Sequence, residues 1–484
     1  MDGEKLYIGK HIANEDSEDA AIAWVRFVPM SEREVKDYLF ECERSDTKRL
    51  YATDDMHGNF CFFDMSLRDA WRSVVEGYIN TDVEWLAIEN LALNNGVIKD
   101  TSENDFSYAH SYHKDFFKGH RKNFSYDTLK DLVSYGQSKG IKMCVSQRIA
   151  EWGMEYPEDR IFFEQKFANE HPEYRCVDRD GDVIDYLSFI YPEVQQHVID
   201  ELVKLAKTGC DAIKPLFTRG WPFVLFEKPF LDLFYERYGI DARLLTLDDE
   251  RIIKIKCEVM TEFMRKLRKR LDQEIKEKRV EIHAKVMFSI YDSALVGLDL
   301  ETWAKEGLVD RIVSDQRRIR EVLDDTVWRD KENGILDIEK YTAFARSSTN
   351  DTIRYDYDEI FPPLEDSAGV LKGPENQQQR ISEFMEIEKK YGVTVYIEIM
   401  PREMEPEEIK RRALEIYSCG CEHIGLWDTY SRTRRLAEWS MWRRIGHKDE
   451  LADMSTGKGE YFSRVRLLRL GDKNVRNYKP MWSG

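Results

Sequence analysis

No run of eighteen apolar residues, no CxxC pair and no surplus of positive charge occurs in this chain of 484 residues. The first absence leaves no segment able to cross a bilayer as an apolar helix. The N-terminal MDGEKLYIGK has no apolar signal core, so a cytoplasmic location is expected, with a leader removed beforehand as the alternative. The eight cysteines (Cys42, Cys61, Cys144, Cys176, Cys210, Cys257, Cys419 and Cys421) are scattered through apparent core elements. Cys419-Gly-Cys421 is too tight for an ordinary disulfide or for zinc spacing, so reduced, buried thiols are expected. The formal net charge of −18 argues against nucleic acid and against anionic membrane as partners, and favours solubility. No repeat of 20–50 residues and no low-complexity tract interrupts the chain. His110, His113 and His120 fall in a polar loop at irregular intervals, so no metal is expected, and no cofactor.

What is present is a full complement of core residues, 42% hydrophobic, and an aromatic share of 12% that includes 11 Trp and 24 Tyr. Tyr and Trp pair a flat apolar face with a polar tip, which suits stacking on sugar rings as well as an ordinary core lining.

The patterning alternates between short apolar runs and amphipathic helices. Strands are expected at Arg49–Thr53, Val83–Glu89, Gly140–Gln147, Cys210–Phe217, Val280–Phe288, Leu308–Ser314, Val393–Ile399 and Glu422–Trp427. Pro215 must lie at the end of the fourth, because proline cannot donate to a ladder. Helical spacing separates them: Ser66–Tyr78, Tyr126–Lys139 stopped by Gly140, Pro192–Thr208 with proline in its first turn, Phe230–Tyr238, Asp248–Lys278, Asp299–Lys305, Glu375–Tyr391, Glu407–Ser418 and Arg432–Arg444. Before them, Ser31 with Glu34 three residues on marks a helix N-terminus. The Asp180-Gly181 turn suggests a small hairpin. Eight strands each followed by helix are what a (β/α)8 barrel requires. The expected organisation is an N-terminal extension over 1–47, the barrel over 48–447 with an irregular insertion at 325–373, and a C-terminal extension over 448–484 with one more strand near Ser463–Leu470.

In such barrels the chemistry gathers at the C-terminal ends of the strands. VTVYIEIMPR, Val393–Arg402, delivers Glu398 and then Arg402 to that rim. Asp54, Asp55 and His57 follow the first strand, Asp315 ends the sixth, and Asp428 follows Trp427 at the end of the eighth. Each aspartate has a bland reading as a turn or helix cap. Arg148, Lys214, Arg219, Lys285 and Arg402 also fall at or near strand ends. Lys285 and His283 share one face of the fifth strand. A lysine inside a strand must pair with a carboxylate, bind substrate or act as an amine of lowered pKa. Trp221, Phe223 and Phe226 are expected to line the mouth. The charged helix Met264–Lys278 reads as a solvated face.

From roughly Leu50 to His447 these stretches resemble the family-10-like glycoside hydrolases. The resemblance rests on GIKMCVSQR with HPEY downstream, YPEVQQHVIDELVKLAKTGCDAI, FLDLFYERYGIDARLLTLDDER and GLDLETWAKEGLVDRIV. VYIEIMPREMEPEEIKRRALEIYSCGCEHIGLWDT, with WRRIGH after it, completes it. It implies a (β/α)8 fold and hydrolysis of a carbohydrate by two carboxyl groups. One departure stands out. Such proteins carry acidic residues after the fourth strand and then an arginine, whereas this chain reads Asp211-Ala212-Ile213-Lys214-Pro215-Leu216-Phe217-Thr218-Arg219. Lys214 and Leu216 occupy the acidic positions and Arg219 persists.

The sequence therefore points to a glycoside hydrolase with Glu398 as nucleophile or base. The acid would come from Asp428, Asp54, Asp55 or Asp315. Substrate contacts would come from His57, Arg148, Lys214, Arg219, Trp221, His283, Lys285, Arg402 and Trp427, on a carbohydrate that the cations would allow to be anionic. Two other readings stay open. One is a barrel lyase, epimerase or aldolase using Lys214 or Lys285. The other is a non-catalytic carbohydrate-binding barrel. The sequence leaves a homo-oligomer open.

Overall fold

The computed structural model describes residues 29–54, 72, 74–90, 126–150, 152, 166–218, 222–315, 377–399, 405–427 and 436–455. Eight strands close into a barrel in strict chain order. They are strand one Leu50–Asp54, two Val83–Asn90, three Lys142–Arg148, four Ala212–Leu216, five Glu281–Val286, six Arg311–Ser314, seven Thr394–Ile399 and eight Ile424–Trp427. Every neighbouring pair is parallel, and strand eight closes on strand one with Leu50 opposite Ile424 and Thr53 opposite Trp427. The expected (β/α)8 architecture is the observed one.

Strand starts fall later than the apolar runs suggest, because the preceding helix still uses the first backbone groups. Leu308 N–H donates to Trp303 O, so strand six begins at Arg311 and not at Leu308. Ile141 N–H likewise donates to Gly136 O around Gly140, whose φ of 77° closes the helix in the left-handed conformation. Strand three then begins at Lys142. Pro215 sits one residue before the end of strand four, where its missing N–H does least damage to the ladder.

Side chains alternate between two cores. Outward-facing Leu50, Ala52, Leu86, Ile88, Met143, Val145, Ile213, Ile282, Ala284, Ile312, Val395 and Ile397 pack on the helices. Inward-facing Tyr51, Trp85, Ala87, Cys144, Ala212, Val313 and Tyr396 fill the barrel itself. Period two along each strand thus decides which residues meet helix and which meet the site.

The helices bury one stripe each. Pro192–Ala206 starts with Pro at its first turn and buries Val194, Val198, Ile199, Leu202 and Val203. Glu250–Glu274 is capped by Asp249, whose carboxylate accepts from Arg251 N–H, and buries Ile252, Ile255, Met260, Phe263, Met264, Leu267 and Leu271. Each such side chain contributes roughly 1.5–3 kcal/mol on leaving water. Its polar face carries the i,i+4 pair Arg270–Glu274, the solvated charge expected there, whereas Arg268 is buried and donates to Val280 O at 2.8 Å as well as pairing with Asp272.

The anticipated hairpin pairs Arg175–Val177 with Val183–Leu187. The helix Glu32–Glu43 opens on the Ser31–Glu34 capping box. It is tied to the far end of the chain by His447, whose Nδ1 lies 2.7 Å from Asp82 and whose Nε2 lies 3.0 Å from Glu41. Arg44 reaches Glu450 at 2.6 Å beside it. Among the described residues no helix is long and apolar enough to cross a membrane. The insertion 325–373, the tail strand Ser463–Leu470 and the loop with His110, His113 and His120 lie outside the described residues.

Candidate active site

Two layers of polar side chains occupy the barrel interior, above and below the ring of Tyr51, Trp85 and Tyr396. The lower layer lies toward the N-terminal ends of the strands. His283 on strand five has both ring nitrogens engaged, with Nδ1 2.9 Å from Tyr51 Oη and Nε2 2.8 Å from Glu281 Oε2. Burial, opposed by the Glu281 contact, pushes its pKa down to about 4, so the ring is neutral at pH 7. Arg311 Nε donates to Glu281 at 2.8 Å and Nη1 to Tyr396 Oη at 3.2 Å, and the Tyr396 hydroxyl donates to Glu84 at 3.1 Å. Burial of Glu281 would raise its pKa, but His283 and Arg311 together hold it down at about 2.

The upper layer lies at the C-terminal ends. Lys285, two residues beyond His283 on the same face, is fully buried. Its Nζ donates to Glu398 Oε2 at 2.5 Å and lies 3.5 Å from Asp315 Oδ2. Both oxygens sit around one nitrogen, so they are no more than about 6 Å apart. The same Nζ lies 3.8 Å from the centre of the Trp427 ring. That face of Trp427 therefore carries an ammonium, where a sugar platform was expected. Glu398 Oε1 is buried without a hydrogen-bond partner among the described residues.

Gly425 makes room for Glu398. The two are register partners on strands eight and seven. A Cβ on Gly425 would come within 3.0 Å of Glu398 Cγ and 3.2 Å of its Cα. Any side chain there would push the carboxylate out of line.

Lys214 projects into the barrel from strand four, and it too is fully buried. Its Nζ donates to Thr53 Oγ1 at 2.6 Å and lies 4.9 Å from the Tyr51 ring and 5.8 Å from the Trp427 ring. No carboxylate among the described residues forms an ion pair with it. Burial, reinforced by the charge of Lys285, draws its pKa down to about 8.

Further round the rim, Arg148 Nε donates to buried Glu89 Oε1 on strand two. Buried Asp54 ends strand one. Arg380, near the start of helix Gln377–Tyr391, clamps the ends of two strands. It donates to Phe288 O at 2.5 Å, to Ser314 Oγ at 2.5 Å and to Asp315 O at 2.7 Å. Burial pulls its guanidinium down to about 10.

Of the residues singled out in the sequence, Glu398, Asp315, Lys285, Lys214 and Trp427 come together. Arg148 and Asp54 end strands three and one, on either side of strand two, and His283 belongs to the layer below. Phe223 and Phe226 are buried in the outer core rather than placed inside the barrel. Asp55, His57, Arg219, Trp221, Arg402 and Asp428 lie outside the described residues. Thr53, Glu89, Gly425 and Arg380 were missed. The inward parity of VEWLAIE, which puts Glu89 on the face of Trp85 and Ala87, was a signal for one of them.

No protein-family model matches the chain, and no curated protein matches it. Solved structures do. The catalytic domain of β-amylase from Paenibacillus polymyxa is similar over 84% of this chain and 99% of its own, at 11% identity and a TM-score of 0.48. The glycoside hydrolase domain of PgaB (BpsB) from Bordetella bronchiseptica is similar over 84% of this chain and 98% of its own, at 9% identity and a TM-score of 0.46. The β-galactosidase from the psychrophilic Marinomonas ef1 is similar over 78% of this chain, at 9% identity and a TM-score of 0.43. This chain spans about half of that enzyme, 53% of its length. Likenesses at this level carry no argument about chemistry, and the closed barrel stands on its own strand pairing.

Proposed function

We propose that this barrel is a glycoside hydrolase of the family-10-like kind it resembles, with Glu398 and Asp315 as its two carboxyl groups. The supporting observation is their convergence on Lys285 at the C-terminal ends of strands six and seven. Retaining glycosidases hold their carboxyls roughly 5–5.5 Å apart, whereas inverting ones need about 6.5–9.5 Å to seat a water. An upper bound of about 6 Å between these oxygens favours retention.

The roles follow from the hydrogen bonds. Glu398 has one oxygen held by Lys285 and the other without a hydrogen-bond partner among the described residues, which suits a nucleophile. Its free oxygen would form the bond to the anomeric carbon as the glycosidic C–O bond breaks. Asp315, the farther of the two from Lys285 Nζ, would give its proton to the leaving oxygen and then take one from water. Glu398→Gln should abolish turnover and Asp315→Asn should lower kcat by roughly 10²–10⁴. The assay is a panel of aryl glycosides that includes uronides and sialosides. Undiminished hydrolysis by Glu398→Gln would end this reading.

A second reading has an observation of its own. An amine with a pKa of about 8 beside another cation is the setting in which lysine forms Schiff bases. A borohydride-trapped adduct of Lys214 with a keto sugar would mark a lyase or aldolase instead.

A further inference from the structure

We infer that Lys214, with Thr53, is the recognition point for a carboxylate on the substrate, so that the substrate is an acidic sugar. This rests on the hydrolase reading and names its substrate class.

Lys214 stands apart from the other described cations carried on the barrel strands. Lys285 is shared by Glu398 and Asp315, Arg148 is paired with Glu89, and Arg311 with Glu281. Lys214 alone among them has only a neutral hydroxyl as its hydrogen-bond partner, Thr53 Oγ1 at 2.6 Å. A buried ammonium without a counter-ion is costly, and a fold retains one where a ligand supplies the missing charge. An ammonium has three donors, and a single bond to Thr53 leaves two for an anion.

Burial and the charge of Lys285 oppose protonation, yet a pKa of about 8 leaves the amine mostly charged at pH 7. The faces of Tyr51 and Trp427 stabilise a cation, and Glu398 and Glu89 act on Lys214 in the same direction. A substrate carboxylate would push the pKa back up and hold the proton.

The charge count selects the kind of anion. Glycoside hydrolysis keeps one of its two carboxyls protonated. With Asp315 protonated, Lys214, Lys285, Glu398 and Asp315 together carry one net positive charge, and on the rest of the described rim Arg148 offsets Glu89 and Arg380 offsets Asp54. That matches a monoanion such as a hexuronate or a sialic-type acid. A phosphate dianion would call for a cluster of donors, such as a helix N-terminus, and would meet the Glu398 carboxylate.

The test compares acid and neutral partners of the same sugar. Glucuronate, galacturonate and N-acetylneuraminate are set against glucose and galactose in calorimetric titrations of the full chain, alongside the matching aryl glycosides. The wild type should bind at least one acid more than about tenfold tighter than its neutral partner. Lys214→Met should erase that ratio, and Thr53→Val, which is close to isosteric, should lower it in part. No preference for any acid, an equal loss for acid and neutral sugar, or a borohydride adduct on Lys214 would each overturn the inference. If the neutral glycosides are hydrolysed and Glu398→Gln stops it, the hydrolase reading survives that outcome. If the acids bind through Lys214 without turnover, the hydrolase reading fails and the carboxylate site stands.

Discussion

At the N-terminal end of the barrel interior, Glu281 accepts from Arg311 and contacts His283, and the Tyr396 hydroxyl joins Arg311 to Glu84. Some 161 residues of sequence separate the partners of the one bond that Lys214 makes at the other end, and that bond goes to a hydroxyl. Glu281, Glu84 and Arg311 close on one another below, while above them, among the described residues, Glu398 keeps a buried oxygen without a hydrogen-bond partner and Lys214 has no carboxylate partner. The same barrel wall holds both layers, so the contrast is one of purpose. A fully paired layer contributes rigidity, and a partly paired one keeps polar groups ready for a ligand at a cost in stability.

The sharpest way to break this contrast is to open the paired layer. Arg311→Met leaves Glu281 half buried beside a neutral imidazole and takes the donor from Tyr396. It should destabilise the fold by about 3 kcal/mol, read from urea unfolding, because one partner of a largely buried pair is left behind. A loss under about 0.5 kcal/mol would mean that the lower layer is as loosely held as the upper.

In the unpaired layer the sign should reverse. The folded-state pKa of Lys214, about 8, lies below its ordinary 10.5. The unfolded chain therefore binds more protons between those values, and stability rises with pH across that window. Below about pH 8 the full penalty of the buried ammonium applies. Lys214→Met removes it and should be more stable than the wild type at pH 7, by on the order of 2 kcal/mol. The gap should shrink toward pH 10. A Lys214→Met protein that melts lower at pH 7 would show the ammonium to be well compensated.

Gly425→Ala tests how finely the upper layer is placed. The added Cβ displaces Glu398 by a few tenths of an ångström, given its 3.0 Å approach to Cγ. It should lower kcat about tenfold with KM and melting temperature nearly unchanged, since a misplacement of 1 Å already costs about 10². An unaltered kcat would mean that Glu398 is free to settle.

The fold was largely legible because parallel barrel strands are short β-branched and aromatic runs, here framed by amphipathic helices of ordinary length. Errors clustered at strand starts such as Leu308, where the apolar run continues but its backbone still caps a helix. Glu398, Asp315, Lys285 and Lys214 were visible as charged residues at inward-facing positions near strand ends. Their partners were not. Nothing in the local sequence says that Thr53 faces Lys214 across the barrel, or that Lys285 would lie on Trp427 and keep a sugar off that face. Gly425 carries no chemistry of its own and shows its role only once strand eight lies against strand seven.

The closure of strand eight on strand one has a consequence for how the protein is made. Thr53 is synthesised early and Trp427 late, yet they are register partners that flank the same ammonium. A growing chain can assemble the wall from strand one to strand seven and still lack the Trp427 side of the Lys214 site. Such long-range closure is expected to be slow. A ligand held there would recognise finished molecules alone, and its binding would serve in cells and in refolding experiments as a gauge of the last step of folding.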